Sequence, residues 1–72
     1  MKVIFVEIDY ANGGWDKVEG KVLYETRDVP VPSKGENVYV NNISYTIKTI
    51  THYYYTTGCV DNHVKVELFK NK

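Results

Sequence analysis

The chain has a single cysteine, Cys59, only two prolines, and no net charge, since nine basic residues balance nine acidic ones. One thiol cannot close an internal bridge, and small secreted domains that lack a large core usually carry several cysteines, so a reducing compartment is expected. Zero net charge provides no long-range positive field to collect a phosphate backbone, which disfavours general nucleic-acid binding. The apolar stretch Val3 to Ile8 is far too short for a signal segment or a membrane span and has no small-residue cleavage site after it. A cytoplasmic protein without membrane contact is therefore expected. Helical periodicity is missing throughout. So is a glycine-rich phosphate loop, because Gly13-Gly14 does not lead into a helix pattern and Gly35 lacks the lysine-serine spacing.

What remains is enough to fold. Apolar residues make up 43% of the chain and aromatics 14%, above the level of a disordered segment, so the chain collapses. Its 72 residues fill one domain, residues 1–72, with nothing left for a second core. A domain this small buries only about 60% of its unfolded surface, which makes a homo-oligomer an expected source of extra stability.

The pieces between glycines and prolines are rich in Val, Ile, Thr and Tyr, the composition of strands. From Lys2 to Tyr10, Ile4, Val6, Ile8 and Tyr10 share one face and Val3, Phe5, Glu7 and Asp9 the other, so the first half, oily on both faces, reads as a central strand. Asn12-Gly13-Gly14 favours a reversal within a loop over residues 11 to 19, and Val18 to Arg27 is a second strand paired antiparallel with the first. Pro30 and Pro32 keep Val29 to Ser33 out of a central strand, and the chain crosses over there. Asn41-Asn42 suits a type I′ turn between Asn37–Val40 and the strand beginning at Ile43. Along that strand the apolar parity switches from Ile43, Tyr45 and Ile47 to Ile50, which predicts a β-bulge near Lys48-Thr49. Val64, Val66 and Leu68 form the inward face of a last strand, and residues 70 to 72 are expected to fray.

Five strands in this order predict an all-β fold: a small five-stranded antiparallel, partly open barrel of the SH3-like kind, with a twisted single sheet that dimerises through one face as the alternative. Pro32-Ser33-Lys34-Gly35-Glu36-Asn37-Val38, followed by Ile43-Ser44-Tyr45-Thr46-Ile47, resembles the Pro-x-x-Gly-Glu-x-Val…Tyr-x-Val pattern of short all-β proteins from phages and mobile elements. The likeness covers about half the chain and brings no catalytic motif with it.

Tyr53-Tyr54-Tyr55 is the most unusual local feature. A hairpin closed by a loop at Thr57 to Cys59 sets Tyr53 opposite His63, Tyr55 opposite Asp61 and Ile50 opposite Val66, leaving Tyr53, Tyr55 and His63 outward. Tyrosines offer apolar area, a hydroxyl and little rotamer entropy, so such a patch suits a partner; they also serve merely as good strand formers covering a thin core. Trp15 in the loop is either an interface anchor or a cap on the open barrel end. Asp16, Glu19, Glu7 and Asp9 read as a solvated acidic edge more readily than as an acidic patch. Cys59, Asp61, His63 and His52 include metal-ligand types but lack the paired spacing of a zinc site, and Cys59-x-Asp61-x-His63 alone does not make a nucleophile with an oriented base.

The expected function is thus a non-catalytic binding module with no cofactor and no metal. Its partner surface consists of Trp15, Tyr53, Tyr55, Asp61 and His63, and in the setting the resemblance implies, it binds and inhibits a host protein. A small nucleotide-like ligand held by an oligomer is the second reading, and a minor enzyme or toxin the third.

Overall fold

The computed structural model describes residues 2–27, 29–58 and 60–71. Five strands form one sheet: β1 (Lys2–Ala11), β2 (Asp16–Thr26), β3 (Asn37–Val40), β4 (Ile43–Tyr53) and β5 (His63–Lys70). A single 3-10 turn at Asn12–Gly14 joins β1 to β2, so the loop there is shorter than expected and β2 already begins at Asp16. Among the described residues no helix is long and apolar enough to cross a membrane.

The strand order is β2-β1-β5-β4-β3, with β1 and β5 parallel and the other neighbours antiparallel. The fold is all-β as expected, but the fully antiparallel arrangement is corrected to a mixed, open sheet. The crossover explains the difference. β2 and β3, consecutive in sequence, lie at opposite edges, β4 is laid down inside β3, and the gap beside β1 is filled by β5 running antiparallel to β4. Apolar parity fixes which face a side chain takes, but it carries no information about the direction of a neighbouring strand.

The register sorts the side chains onto two faces. Val3, Phe5, Tyr45, Ile47, Val64, Val66 and Leu68 form the buried core on one face, joined by Leu23, Val38, Val40 and Ile50. Each fully buried aliphatic side chain there contributes about 1.5–3 kcal/mol of transfer free energy. Phe5 and Tyr24 stack at 5.9 Å on this face. Phe5 and Tyr24 also line a groove of about 260 Å³ together with Val38, Val40 and the crossover residues Val29, Pro30 and Pro32. In a flat sheet, β2 and β3 would lie about 19 Å apart, four spacings of about 4.8 Å. Their side chains lining one small groove therefore means that the sheet curls over its core, with the crossover filling the mouth.

Local details follow the sequence closely. The β4–β5 ladder shifts between Ile47 and Thr49, leaving Lys48 as the extra residue, so that Ile47 and Ile50 both reach the core despite their opposite parity. The turn at Ser33–Glu36 is held by Glu36 N–H donating to the Ser33 carbonyl at 3.2 Å. It is docked on β4 by Gly35 N–H donating to the Ile47 carbonyl at 2.9 Å. Fraying does not extend to Lys70 and Asn71: Lys70 pairs with Tyr45, Asn71 N–H donates to the Ser44 carbonyl at 2.9 Å, and Asn71 Nδ2 donates to Ser44 Oγ at 2.8 Å.

Val40 pairs directly with Ile43, and Asn41 and Asn42 take φ of 52° and 66°, the two left-handed positions of a two-residue hairpin. Asn42→Val is expected to lower stability in urea unfolding by about 1–2 kcal/mol, since a β-branched side chain is strained at positive φ, while Asn42→Gly stays within about 0.5 kcal/mol of the parent.

Candidate functional site

The face of the sheet opposite the core has no strand or helix laid over it among the described residues, yet Val6 and Ile8 of β1 are almost fully buried there. Two ion pairs explain this. Lys17 Nζ of β2 donates to Glu67 Oε1 of β5 at 3.0 Å, and Lys65 Nζ of β5 pairs with Glu19 of β2. Both reach across β1, which lies between β2 and β5, and their aliphatic stems roof Val6 and Ile8. The Glu19 contact holds the Lys65 ammonium above its ordinary pKa, with partial burial opposing it. Glu67 is only 3% exposed, and its Oε2 makes no hydrogen bond among the described residues.

The ion-pair band separates two aromatic clusters. At the end of the sheet where β1 and β5 begin, Tyr53 pairs with His63 in the expected register, and Ile50 pairs with Val66. The His63 imidazole stacks on Tyr53 at 4.7 Å and lies nearly parallel to Tyr55 at 5.9 Å. Tyr55 has left the ladder, which ends at Tyr53, so its pairing with Asp61 is not formed. Instead Tyr55 N–H donates to Asn62 Oδ1 at 2.7 Å. Tyr54 points away and stacks on His52 at 6.1 Å. The strands on either side of this connection end at Tyr53 and resume at His63, so the link is longer than a three-residue loop.

Asp61 is exposed, and its Oδ2 accepts from Arg27 at 3.0 Å, while its carbonyl lies 3.2 Å from His63 Nδ1. The hydrogen bond and positive charge of Arg27 hold the Asp61 carboxyl below its ordinary pKa. A depressed carboxylate pKa gives stability that is present above the unfolded value and lost as pH falls through the folded one. An NMR titration should therefore find the Asp61 midpoint higher in Arg27→Gln than in the parent.

The second cluster, at the other end, is Tyr10 against Phe69 at 5.4 Å, with Lys48 Nζ 5.6 Å above the Phe69 ring. Sequence reasoning missed both Phe69 and Glu67. The signal was available in the parity of β5: if Val64, Val66 and Leu68 face the core, Lys65, Glu67 and Phe69 must share the outer face.

Trp15 does not cap the core. It stands at the tip of the β1–β2 hairpin, 90% exposed. Lys2 of β1 pairs with His63, and nine residue steps of about 3.3 Å separate Lys2 from Ala11, so Trp15 lies about 30 Å from the tyrosine cluster. The expected five-residue surface is thus two surfaces: Tyr53, Tyr55, His63 and Asp61 at one end, Trp15 alone at the other. The acidic residues are likewise dispersed. Asp16 accepts from Asn12, Glu19 pairs with Lys65, and Glu7 accepts from the Tyr45 hydroxyl at 3.4 Å. Burial, followed by the Glu7 charge, raises the pKa of that phenol.

Where β1 and β5 part beyond Ile8 and Phe69, they leave an open cleft of about 530 Å³ that includes Glu7, Asp9 and Lys70. Among the described residues no three His, Cys, Asp or Glu side chains gather as metal ligands. Cys59, on which the metal and nucleophile readings partly rest, lies outside the described residues. Comparison with protein families, curated proteins and solved structures finds no match for this chain.

Proposed function

We propose that this chain is a non-catalytic binding module that engages a partner protein through the open face at the Tyr53, Tyr55 and His63 end, with Asp61 at its rim. The observation that carries this reading is the column of three near-parallel rings on a face that no other element covers among the described residues. Aromatic side chains pre-ordered by mutual stacking lose little entropy on association, and they recur as energetic anchors of interfaces. The ladder fixes Tyr53 against His63, Tyr55 is seated beside them by its N–H bond to Asn62 Oδ1, and Arg27 pairs with the exposed Asp61 in the same connection. In the setting implied by the phage and mobile-element resemblance, the partner is a host protein that the module inhibits. The curl of the sheet over its core is what supports regarding the fold as a small, partly open barrel of the SH3-like kind.

A phosphate-bearing, nucleotide-like ligand is favoured less, because Glu7 and Asp9 stand in the larger cleft and the smaller groove is apolar. The test is retention of a stoichiometric protein from host lysate by the immobilised chain. Tyr55→Ala combined with Tyr53→Ala is expected to weaken retention at least about tenfold, equivalent to about 1.4 kcal/mol, whereas Trp15→Ala leaves it intact. Undiminished retention by the double variant contradicts the proposal. So does a rise in melting temperature with nucleotides when no protein is captured, which points to the ligand reading instead.

A further inference from the structure

The polar atoms of the aromatic column are not all free to turn. The half-buried His63 ring lies near-parallel to Tyr53 at 4.7 Å and to Tyr55 at 5.9 Å, and its Nδ1 is 3.2 Å from the Asp61 carbonyl. A carbonyl oxygen can only accept, so the hydrogen of the neutral imidazole stands on Nδ1. That leaves Nε2 as a bare lone pair, with no donor to it among the described residues. His52 is different. It stacks only on Tyr54, at 6.1 Å, and no hydrogen bond among the described residues orients its ring.

We propose that His63 Nε2 is the specificity-determining acceptor of the column, taking a hydrogen bond from an amide N–H or a hydroxyl of the partner and turning away a carboxylate. The inference rests on the column being the partner surface. A lone pair attracts a donor and repels the lone pairs of a carboxylate oxygen, so one polar atom among apolar rings discriminates between them. Stacking and the Asp61 contact have already set the direction of Nε2, so little rotamer freedom is left to lose on association. A partner without a donor there would bury the lone pair unpaired, which costs more than a typical hydrogen bond contributes.

The same geometry makes recognition depend on the charge of the ring. A second proton goes to Nε2 and turns the acceptor into a donor, while Nδ1 keeps its bond to Asp61. Imidazoles take up that proton between about pH 8 and about pH 5, so acid should release the partner. Two charged neighbours stay charged across that range. Asp61 is held low by its hydrogen bond to Arg27, and Lys65, two positions along the same face of β5, is held high by its hydrogen bond to Glu19. Lys2, opposite His63 on β1, is paired with Glu25, and the phenols of Tyr53 and Tyr55 complete the surroundings.

Nitrogen–proton correlation spectra of the purified chain at about pH 8 are expected to place the His63 hydrogen on Nδ1, with His52 not so restricted. The protein captured by the immobilised chain, once purified, serves as the probe in titration calorimetry. His63→Phe keeps a ring in the column, removes the acceptor, and should weaken binding at least about tenfold with circular dichroism unchanged. His63→Gln sets an amide oxygen near the place of Nε2 and should stay within about threefold of the parent. Between about pH 8 and about pH 5 the parent should weaken at least about tenfold relative to His63→Gln. The inference is overturned by an Nε2–H ring at about pH 8, by His63→Phe binding as the parent does, or by His63→Gln as weak as His63→Phe. Binding that tightens in acid also overturns it and points to a carboxylate on the partner. Failure of the column itself looks different: a parent chain that captures no protein, or undiminished capture when Tyr53→Ala and Tyr55→Ala are combined, removes both readings.

Discussion

Lys17→Met is expected to destabilise the chain by about 2–3 kcal/mol in urea unfolding, far more than a half-exposed lysine on a small domain would ordinarily cost. The reason lies in its partner. Glu67 is nearly inaccessible and already has one oxygen without a hydrogen bond, so removing the ammonium leaves both carboxylate oxygens unsatisfied in a poorly solvated place. The methionine stem would still cover Ile8, which isolates the electrostatic loss from the packing loss. If that is the cause, Lys17→Met combined with Glu67→Met should return stability to within about 1 kcal/mol of the parent or above it, because an apolar pair carries no desolvation cost. Lys2→Met serves as the control. Its pairing with Glu25 at 3.0 Å is partly exposed, and such pairs contribute about 0–1 kcal/mol. A Lys17→Met loss no larger than the Lys2→Met loss contradicts the roof over β1.

Leu68→Ala should be the most damaging single truncation, costing about 2–5 kcal/mol. Leu68 is fully buried, pairs with Ile47 just before the β4 bulge, and lies opposite Glu7 on the parallel β1–β5 side, so the cavity would open where three strands meet. At about 0.05–0.15 kcal/mol per residue, the whole chain has about 4–11 kcal/mol of stability, so this one truncation removes a large share of it and should lower the urea midpoint accordingly. Val60→Ala, at an exposed position, should change the unfolding midpoint by no more than about 0.5 kcal/mol equivalent.

The β4–β5 half of the fold was readable from the sequence because each feature there has a local cause. The parity switch between Ile47 and Ile50 names a bulge, Asn41-Asn42 names a turn, and matching Ile50 to Val66 fixes Tyr53 opposite His63. The placement of β5 was not readable. A strand flanked by β1 and β4 has the same alternation whichever way β1 runs, and the order depends on where residues 27–36 carry the chain, which is a long-range matter. The candidate surface divided along the same line. Tyr53, Tyr55 and His63 came together because the hairpin register is local, whereas Trp15 fell far away because its position relative to them depends on the direction of β1 against β5. The ion-pair roof went unseen since Lys17 and Glu67 are fifty positions apart and look, singly, like ordinary surface charges.

The proposal for the tyrosine column depends on its rings being stacked and wet in the isolated chain. The most direct check is an NMR experiment on dilute monomer that records ring-to-ring nuclear Overhauser contacts together with broadening by a soluble paramagnetic agent. Contacts between the Tyr53 and His63 rings, strong broadening of the Tyr55 ring and unaffected Leu68 methyl signals are the expected result. Absence of those contacts, or a Tyr55 ring as protected as Leu68, would contradict an exposed aromatic column on the open face.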